Sequence, residues 1–171
     1  MQIISVAADN ACMARYSALA LLVLTLLAAS PAPALADLTA FAGVSSTPSS
    51  RSAKGVAIGI GLVIVGFEFE YSKIAEDETQ AAAGLTTGMG NIVLMTPTVK
   101  LQLYATTGGG LYRETVRDFT TTNFATNIGG GAKIGLAGPI RLRIDYRVFS
   151  LNGSPVLKRY QRIYGGVSLS F

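Results

Sequence analysis

The clearest evidence for the fold is at the end of the sequence, Tyr160-Gln161-Arg162-Ile163-Tyr164-Gly165-Gly166-Val167-Ser168-Leu169-Ser170-Phe171. One set of alternate positions carries Gln161, Ile163, Gly165, Val167, Leu169 and Phe171, and the other carries Arg162, Tyr164, Gly166, Ser168 and Ser170. Successive side chains of a β-strand point to opposite faces. The stretch therefore predicts a strand with one largely apolar face, and the sequence stops on an aromatic residue.

Seven further segments of similar character precede it. The eight predicted strands are 37–46, 55–63, 66–75, 84–96, 99–114, 123–136, 140–151 and 160–171. Each is about as long as the 9–11 residues with which a tilted strand crosses a bilayer, or slightly longer. Outside the amino-terminal segment no helical periodicity competes, except in the short stretch 81–83. The pattern predicts an all-β fold, an eight-stranded antiparallel up-and-down sheet.

The predicted connections alternate in length along the chain. The long ones are 46–54, 76–83, 115–122 and 152–159, and the short ones are 65–66, 97–98 and 137–139. Alternation of this kind is typical of a membrane barrel, which has short turns at one end and longer loops at the other. A soluble sandwich has no reason to sort its connections in this way.

The amino-terminal residues predict an export signal. Arg15 precedes an apolar run from Leu19 to Ala29, which is the length of a signal-peptide core and too short for a membrane-spanning helix. An Ala-x-Ala pattern then ends at Ala36, the predicted cleavage residue. A buried core helix is the alternative, which the small, Pro-rich flank disfavours. We expect a signal peptide over 1–36, with Met13 as an alternative start, and a barrel domain over 37–171.

Composition narrows the class of protein. Only 14% of the residues are charged, against about 25% in an ordinary soluble domain, and the mean hydropathy is +0.43. The formal net charge is +4, but the basic residues are dispersed rather than clustered, so nucleic-acid binding is not expected. The single cysteine, Cys12, precedes the predicted cleavage site and excludes a disulfide within the mature chain.

Alternating strands, sorted connections, the signal segment and terminal Phe171 together make this sequence resemble the small outer-membrane β-barrel superfamily, the OmpA-like and opacity-type eight-stranded barrels. The resemblance implies a transmembrane β-barrel in the cell outer membrane of a Gram-negative-type bacterium. In that family the terminal aromatic is part of a signal read by the barrel-assembly machinery, so the resemblance implies this role for Phe171. It also implies outer-membrane lipid and that machinery as partners, and a ligand at the long loops.

Within a barrel, the polar side of each strand takes a specific meaning. On the second strand the apolar positions oppose Ala57, Gly59 and Gly61, and such small residues suit a narrow, crowded interior. The triplets 108–110 and 129–131 fit the same need or form bulges, and we predict no facing for the fifth strand. The aromatic residues expected at the edges of the membrane are Tyr146 and Phe171, together with Tyr71 and Phe149 if their depth in the membrane permits.

Charged residues share the side opposite the apolar positions. If the apolar side faces lipid, the charges that face the lumen are Glu68, Glu70, Lys133, Arg141, Arg143, Asp145, Arg147 and Arg162. An eight-stranded barrel is just wide enough for side chains to fill. Because isolated buried charges are costly, we expect Glu68, Glu70 and Asp145 to pair with the arginines of the seventh strand. A solvated polar face without pairing is the alternative.

The sequence lacks several catalytic groups. It contains no His, which excludes Ser-His-Asp catalysis and His-based metal sites. The acyltransferase, deacylase and protease barrels of the outer membrane use His, so the resemblance does not extend to them. The spacing of Glu68 and Glu70 resembles an acid–base pair, but a packed barrel offers no substrate cleft. We expect no enzyme activity, no metal site and no cofactor.

Three functions remain open. The first is a structural or surface-interaction barrel whose lumen is filled by charged side chains. The second is a small solute or anion channel with an Arg-rich interior. The third is a soluble exported carrier like a lipocalin, with its apolar faces turned inward around a ligand.

Overall fold

The computed structural model describes residues 35–77, 82–98, 100–116 and 119–171. The strands are β1 (Leu35–Ser45), β2 (Arg51–Leu62), β3 (Val65–Ile74), β4 (Gly84–Met95), β5 (Leu101–Val116), β6 (Phe119–Ala137), β7 (Ile140–Leu151) and β8 (Arg159–Ser170). Each strand is antiparallel to its neighbours, and β1 pairs with β8 to close the barrel. The predicted eight-stranded antiparallel fold is therefore confirmed. The described residues include no helix long and apolar enough to span a membrane.

The two ends of the barrel differ in their connections. We call the end that carries Leu35 and Phe171 the proximal end, and the opposite one the distal end. The distal connections are 46–50, 75–83, 117–118 and 152–158, and the proximal ones are 63–64, 96–100 and 138–139. Most of the predicted signal segment lies outside the described residues. Its last two residues, Leu35 and Ala36, belong to β1.

The sorting of connections by length is weaker than the sequence predicts. The predicted polar loop 115–122 is wrong, because β5 and β6 stay paired as far as Val116 and Phe119. Threonines at 115 and 120–122 are β-branched and favour an extended ribbon, which polarity alone does not distinguish from a loop. The predicted short turn at 97–98 is a five-residue connection, 96–100.

The strands are staggered around the barrel. A row of paired residues that starts at Leu38 on β1 passes around all eight strands to Arg159 on β8. Leu38 itself pairs with Leu169, ten residues further along β8. This offset is the shear that tilted strands need in order to close. An eight-stranded barrel of this kind has an interior that side chains can fill.

Apolar side chains cover the outside of the barrel. On β7, Leu142 and Ile144 are exposed, whereas Arg143 and Asp145, which alternate with them, are buried. On β2 and β3 the same holds for Ile58, which is 53% exposed, and for its cross-strand neighbour Phe69. A soluble sheet would bury the apolar face instead. The exposures therefore have the direction that a lipid-facing wall requires.

The glycine triplets do not form bulges. Pairing of β5 with β4 and β6 runs through 108–110 without a change of register. In the pairing of β6 with β7, the register shifts between Gly135 and Ala137, after the 129–131 triplet. The fifth strand therefore keeps one phase throughout, with Tyr104 and Tyr112 both buried.

Candidate functional site: an ion-pair network inside the barrel

A cluster of charged side chains fills the middle of the barrel. Its members are buried and come from three strands: Glu68 and Glu70 on β3, Arg143, Asp145 and Arg147 on β7, and Arg162 on β8. Period-2 alternation places all of them on the inward face, because each follows or precedes an exposed apolar residue. Six of the residues that the sequence predicts for the lumen are thus brought together.

Arg143 on β7 reaches across the lumen to Glu68 on β3. Its Nη1 lies 2.5 Å from Glu68 Oε2, and its Nη2 lies 3.3 Å from Glu68 Oε1, which makes a two-pronged contact. Nη2 also donates to Asp145 Oδ2 at 3.1 Å. A guanidinium presents a planar fork of donors that matches a carboxylate in this way.

Arg147 contacts all three carboxylates of the cluster. Its Nη2 donates to Glu68 Oε1 at 2.6 Å, and its Nε donates to Asp145 Oδ1 at 3.0 Å. Its Nη1 lies 3.0 Å from Glu70 Oε2. Arg147 is fully buried, so the pairs are formed away from bulk water. Removal of this one side chain would leave three carboxylates short of a partner.

Glu70 separates two cations that the register brings face to face. Arg147 on β7 and Arg162 on β8 are directly opposite each other in the pairing. Like charges in that position repel. Glu70 lies between them, with Oε1 2.7 Å from Arg162 Nη2 and Oε2 3.0 Å from Arg147 Nη1. The barrel therefore tolerates the arginine pair because a carboxylate bridges it.

Tyr104 is a member of the cluster that the sequence analysis missed. Its Oη donates to Asp145 Oδ2 at 2.5 Å and accepts from Arg143 Nε at 2.8 Å. The Arg143 guanidinium carbon lies 4.8 Å from the centre of the Tyr104 ring, a cation–π distance. Continuous alternation through β5 would have identified Tyr104 as inward-facing, since Gln102 shares its phase.

The two remaining predicted residues lie nearer the proximal end. Lys133 is buried and forms an ion pair with Asp37. Asp37 was not predicted as a partner because the sequence places it at the signal cleavage site. Arg141 is half-buried, and its Nη1 lies 3.4 Å from Gln102 Oε1. Among the described residues Arg141 forms no ion pair, so its predicted place in the network is wrong.

The paired charges are balanced. The ion pairs inside the barrel join four carboxylates, Asp37, Glu68, Glu70 and Asp145, to four cations, Lys133, Arg143, Arg147 and Arg162. Buried ions are tolerated when they are paired and hydrogen-bonded, and they are costly otherwise. The balance therefore leaves little net charge to attract a mobile ion.

An apolar layer fills the distal half of the interior. It consists of Ala53, Ile74, Leu85, Met89, Tyr112, Ala125, Phe149, Leu151 and Tyr160, with Leu157 of a distal connection packed against it. The predicted position of Phe149 at the membrane edge is wrong, because its side chain is 1% exposed inside the barrel. Phe149 keeps the phase of Arg147 and Asp145, and this phase outweighs its aromatic character.

Polar contacts hold the distal connections over this layer. Arg51 donates to the carbonyl oxygens of Thr47 and Ala75 at 3.1 Å each, and also to that of Ala83. These carbonyls belong to two different distal connections. The buried side chain of Arg51 thus links the β1–β2 connection to the β3–β4 connection.

A second contact of the same kind involves Glu114 on β5. Its carboxylate accepts from the backbone N–H of Val156 at 3.1 Å and from Tyr160 Oη at 3.3 Å. Val156 lies in the connection between β7 and β8.

Chemically, the interior is a packed set of ion pairs, rings and aliphatic groups, closed by tethered connections. Within the described ranges, no group of three or more Cys, Asp and Glu side chains could hold a metal ion.

Comparison with known proteins identifies the fold. No protein-family model matches the sequence, and no curated protein matches it significantly. The N-terminal β-barrel domain of Pseudomonas aeruginosa OprF is 19% identical, with a TM-score of 0.60 over 80% of this chain and 97% of that one. Neisserial surface protein A (NspA) is 13% identical, with a TM-score of 0.65 over 80% of this chain and 96% of that one.

The outer-membrane enzyme PagL is also similar in structure. It is 13% identical, with a TM-score of 0.52 over 78% of this chain and 98% of that one. At these identities the similarity concerns the fold. The fold is that of the small eight-stranded outer-membrane β-barrels, as the resemblance in sequence implies.

Proposed function

We propose that this chain is an integral outer-membrane protein with a structural or surface-interaction role, and that its filled lumen does not conduct. The observation that carries the proposal is the balanced ion-pair network in the middle of the barrel, with an apolar layer beside it. The two layers fill the interior in series along the barrel axis. A permeating solute would have to displace both.

The outer wall supports the membrane location. Exposed aliphatic and aromatic side chains alternate with buried polar ones on strands around the barrel. A closed barrel leaves no unpaired backbone edge to meet lipid, which is one of the two ways in which a chain can span a bilayer. The soluble-carrier alternative requires these side chains to face inward, which is the reverse of their exposure.

The channel alternative has one observation in its favour, the arginines that line the interior. Arg143, Arg147 and Arg162 are each paired with a carboxylate at 3.1 Å or less. An anion could use these arginines only after the pairs separate, and separation leaves uncompensated buried carboxylates. We therefore place the channel second.

We propose no catalytic activity. One structural neighbour is an enzyme, but similarity of fold does not carry an activity from one protein to another. This sequence contains no His to act as a general base. The two carboxylates that resemble an acid–base pair, Glu68 and Glu70, are both engaged with arginines.

Export and assembly form part of the same proposal. We propose a signal peptide over 1–36 and an assembly signal at Phe171. Phe171 directly follows β8, the strand that pairs with β1 to close the barrel, and it is 72% exposed. N-terminal sequencing of the exported protein locates the cleavage, and a Phe171→Ala variant with slowed membrane assembly would support the second role.

The experiment for the proposed function has two parts. Cell fractionation followed by gel electrophoresis of unheated and boiled samples tests whether the protein resides in the outer membrane as a barrel, because folded and boiled barrels migrate differently. The same folded protein is then inserted into planar bilayers. We expect no discrete conductance steps. Reproducible steps with anion selectivity would favour the channel, and recovery in the soluble fraction would favour the carrier.

A further inference from the structure

Charges on the strands are sorted by sign between the two faces of the barrel. The carboxylates on the described strands all face inward: Asp37, Glu68, Glu70, Glu114 and Asp145. The charged strand residues that face outward are Lys54, Lys73, Arg113 and Arg159. All four are basic, all are exposed, and all lie towards the distal end. The paired interior is neutral, whereas this edge of the outer wall is positive.

Three of these cations lie in a single register row. The row runs across six strands through Ala42, Lys54, Lys73, Thr86, Arg113 and Thr122. The neighbouring outward row on its proximal side is Ala40, Val56, Tyr71, Gly88, Leu111 and Phe124. The apolar wall therefore ends, and a cationic row begins, between two successive outward-facing positions of each strand. In a membrane barrel, that boundary is the depth at which acyl chains give way to headgroups.

Lys54 and Lys73 are directly opposite each other in the pairing of β2 with β3. Like charges at such positions destabilise a sheet. Inside the barrel the equivalent Arg147–Arg162 pair is bridged by Glu70. For the two lysines, no ion pair with any described residue is present. Among the residues that the structure describes, no anion bridges the outer pair as Glu70 bridges the inner pair.

We propose that Lys54, Lys73 and Arg113, the cationic row, bind phosphate groups of lipids in the membrane leaflet at the distal end. The proposal rests on the membrane-spanning barrel of the proposed function. A phosphate has several oxygens and can lie between two side chains whose Cβ atoms are about 5 Å apart, as in a directly opposed pair. Arg113 adds a planar fork of donors that fits a phosphate, with Thr86 and Thr122 as its cross-strand neighbours.

Lipid selectivity of the full-length folded protein tests the proposal. The protein is inserted into vesicles of about nine parts phosphatidylcholine to one part phosphatidic acid, which carry an anionic surface. Spin-labelled phosphatidic acid and spin-labelled phosphatidylcholine report which lipid is immobilised at the barrel surface. We expect the native protein to prefer phosphatidic acid. In Lys54→Gln/Lys73→Gln the association constant at the site should fall by about fivefold for each lysine.

A matched control removes the same charge elsewhere. Lys100→Gln/Lys158→Gln alters two exposed lysines that lie in connections, outside the cationic row. Selectivity retained by this variant and lost by Lys54→Gln/Lys73→Gln supports the proposal. Equal losses in both variants would assign the effect to net charge and overturn it. The gel shift on boiling shows that each variant is inserted and folded.

Two further outcomes separate the possible failures. Inorganic phosphate should leave the lipid preference unchanged when it is compared with chloride at the same ionic strength. If phosphate but not chloride displaces the spin-labelled phosphatidic acid, the site binds free anions instead. A native protein that inserts but shows no preference for phosphatidic acid overturns the lipid site alone. A protein that does not insert overturns the proposed membrane barrel, and the lipid site with it.

Discussion

Gly131 on β6 lies directly opposite Tyr104 on β5. Because Gly131 has no side chain, the Tyr104 phenol can occupy the space beside its Cα atom. A Cβ at position 131 would lie 2.6 Å from Tyr104 Oη and would also overlap the carbonyl oxygen of Ile144. The same relationship holds elsewhere, since a Cβ at Gly55 would lie 2.5 Å from the ring of Phe41. Inward glycines thus make room for the large side chains that fill the barrel.

The substitution Gly131→Ala is therefore expected to destabilise the barrel. The added methyl group must displace Tyr104 or the β7 backbone, and overpacking of this kind costs about 1–3 kcal/mol. Urea-induced unfolding in lipid vesicles measures the free energy of unfolding. Gly165→Ala is the matched control, because a Cβ there has no atom within 4 Å. Equal stabilities for the two variants would contradict the packing role of Gly131.

Arg147 is expected to be the most sensitive position of the ion-pair network. The substitution Arg147→Met removes a cation that contacts Glu68, Glu70 and Asp145, and leaves these buried carboxylates under-compensated. Loss of one partner from a buried ion pair costs about 3–5 kcal/mol. The midpoint of urea unfolding should fall accordingly, and the boiled and unheated forms should still differ on gels if folding persists.

Arg141→Met is the control for that substitution. Arg141 is on the same strand and the same face, but it is half-buried and forms no ion pair among the described residues. We expect a change within about 0.5 kcal/mol, as at ordinary surface positions. If Arg141→Met proves as costly as Arg147→Met, the effect comes from arginine in the interior in general and not from the network.

The facing of side chains could be predicted from the sequence because it is a local property. Arg143 and Asp145 alternate with Leu142 and Ile144, and a strand turns such neighbours to opposite sides whatever it pairs with. Strand count follows from the same periodicity, and antiparallel order follows from connections that are too short for a crossover. The resemblance to outer-membrane barrels then decided which side meets lipid, and the observed exposures agree with that choice.

The contacts inside the barrel could not be predicted in the same way. Glu68 contacts both Arg143 and Arg147. These contacts depend on the stagger of strands that are far apart in sequence, and alternation carries no information on stagger. Phe149 was misplaced because an aromatic residue near a strand end suits a membrane edge as well as a core. Asp37 was missed because it directly follows the predicted cleavage residue, Ala36.

If the apolar outer wall faces lipid, as we propose, it should tolerate charge at its edge but not at its centre. Ile58 faces outward in the middle of β2, whereas Val44 faces outward near the distal end of β1. An arginine on the lipid face costs about 2–4 kcal/mol at the midplane and about 0–1 near the interface. We therefore expect Ile58→Arg to reduce the free energy of unfolding in vesicles strongly and Val44→Arg to have little effect. Similar costs at both positions would contradict a membrane-embedded wall.

Arg51 should control the order of two distal connections without holding the barrel itself together. Arg51→Gln shortens the side chain and removes the charge that binds the carbonyl oxygens of Thr47, Ala75 and Ala83. Hydrogen bonds from a charged group contribute about 1.5–3 kcal/mol each, so the free energy of local opening should fall by at least that amount. Hydrogen exchange followed by mass spectrometry should show faster exchange in peptides that cover 46–50 and 82–84, with β7 and β8 unchanged. Arg159→Gln, which alters an exposed arginine at the same end, serves as the control, and an equal acceleration in that variant would show that Arg51 does not anchor the connections.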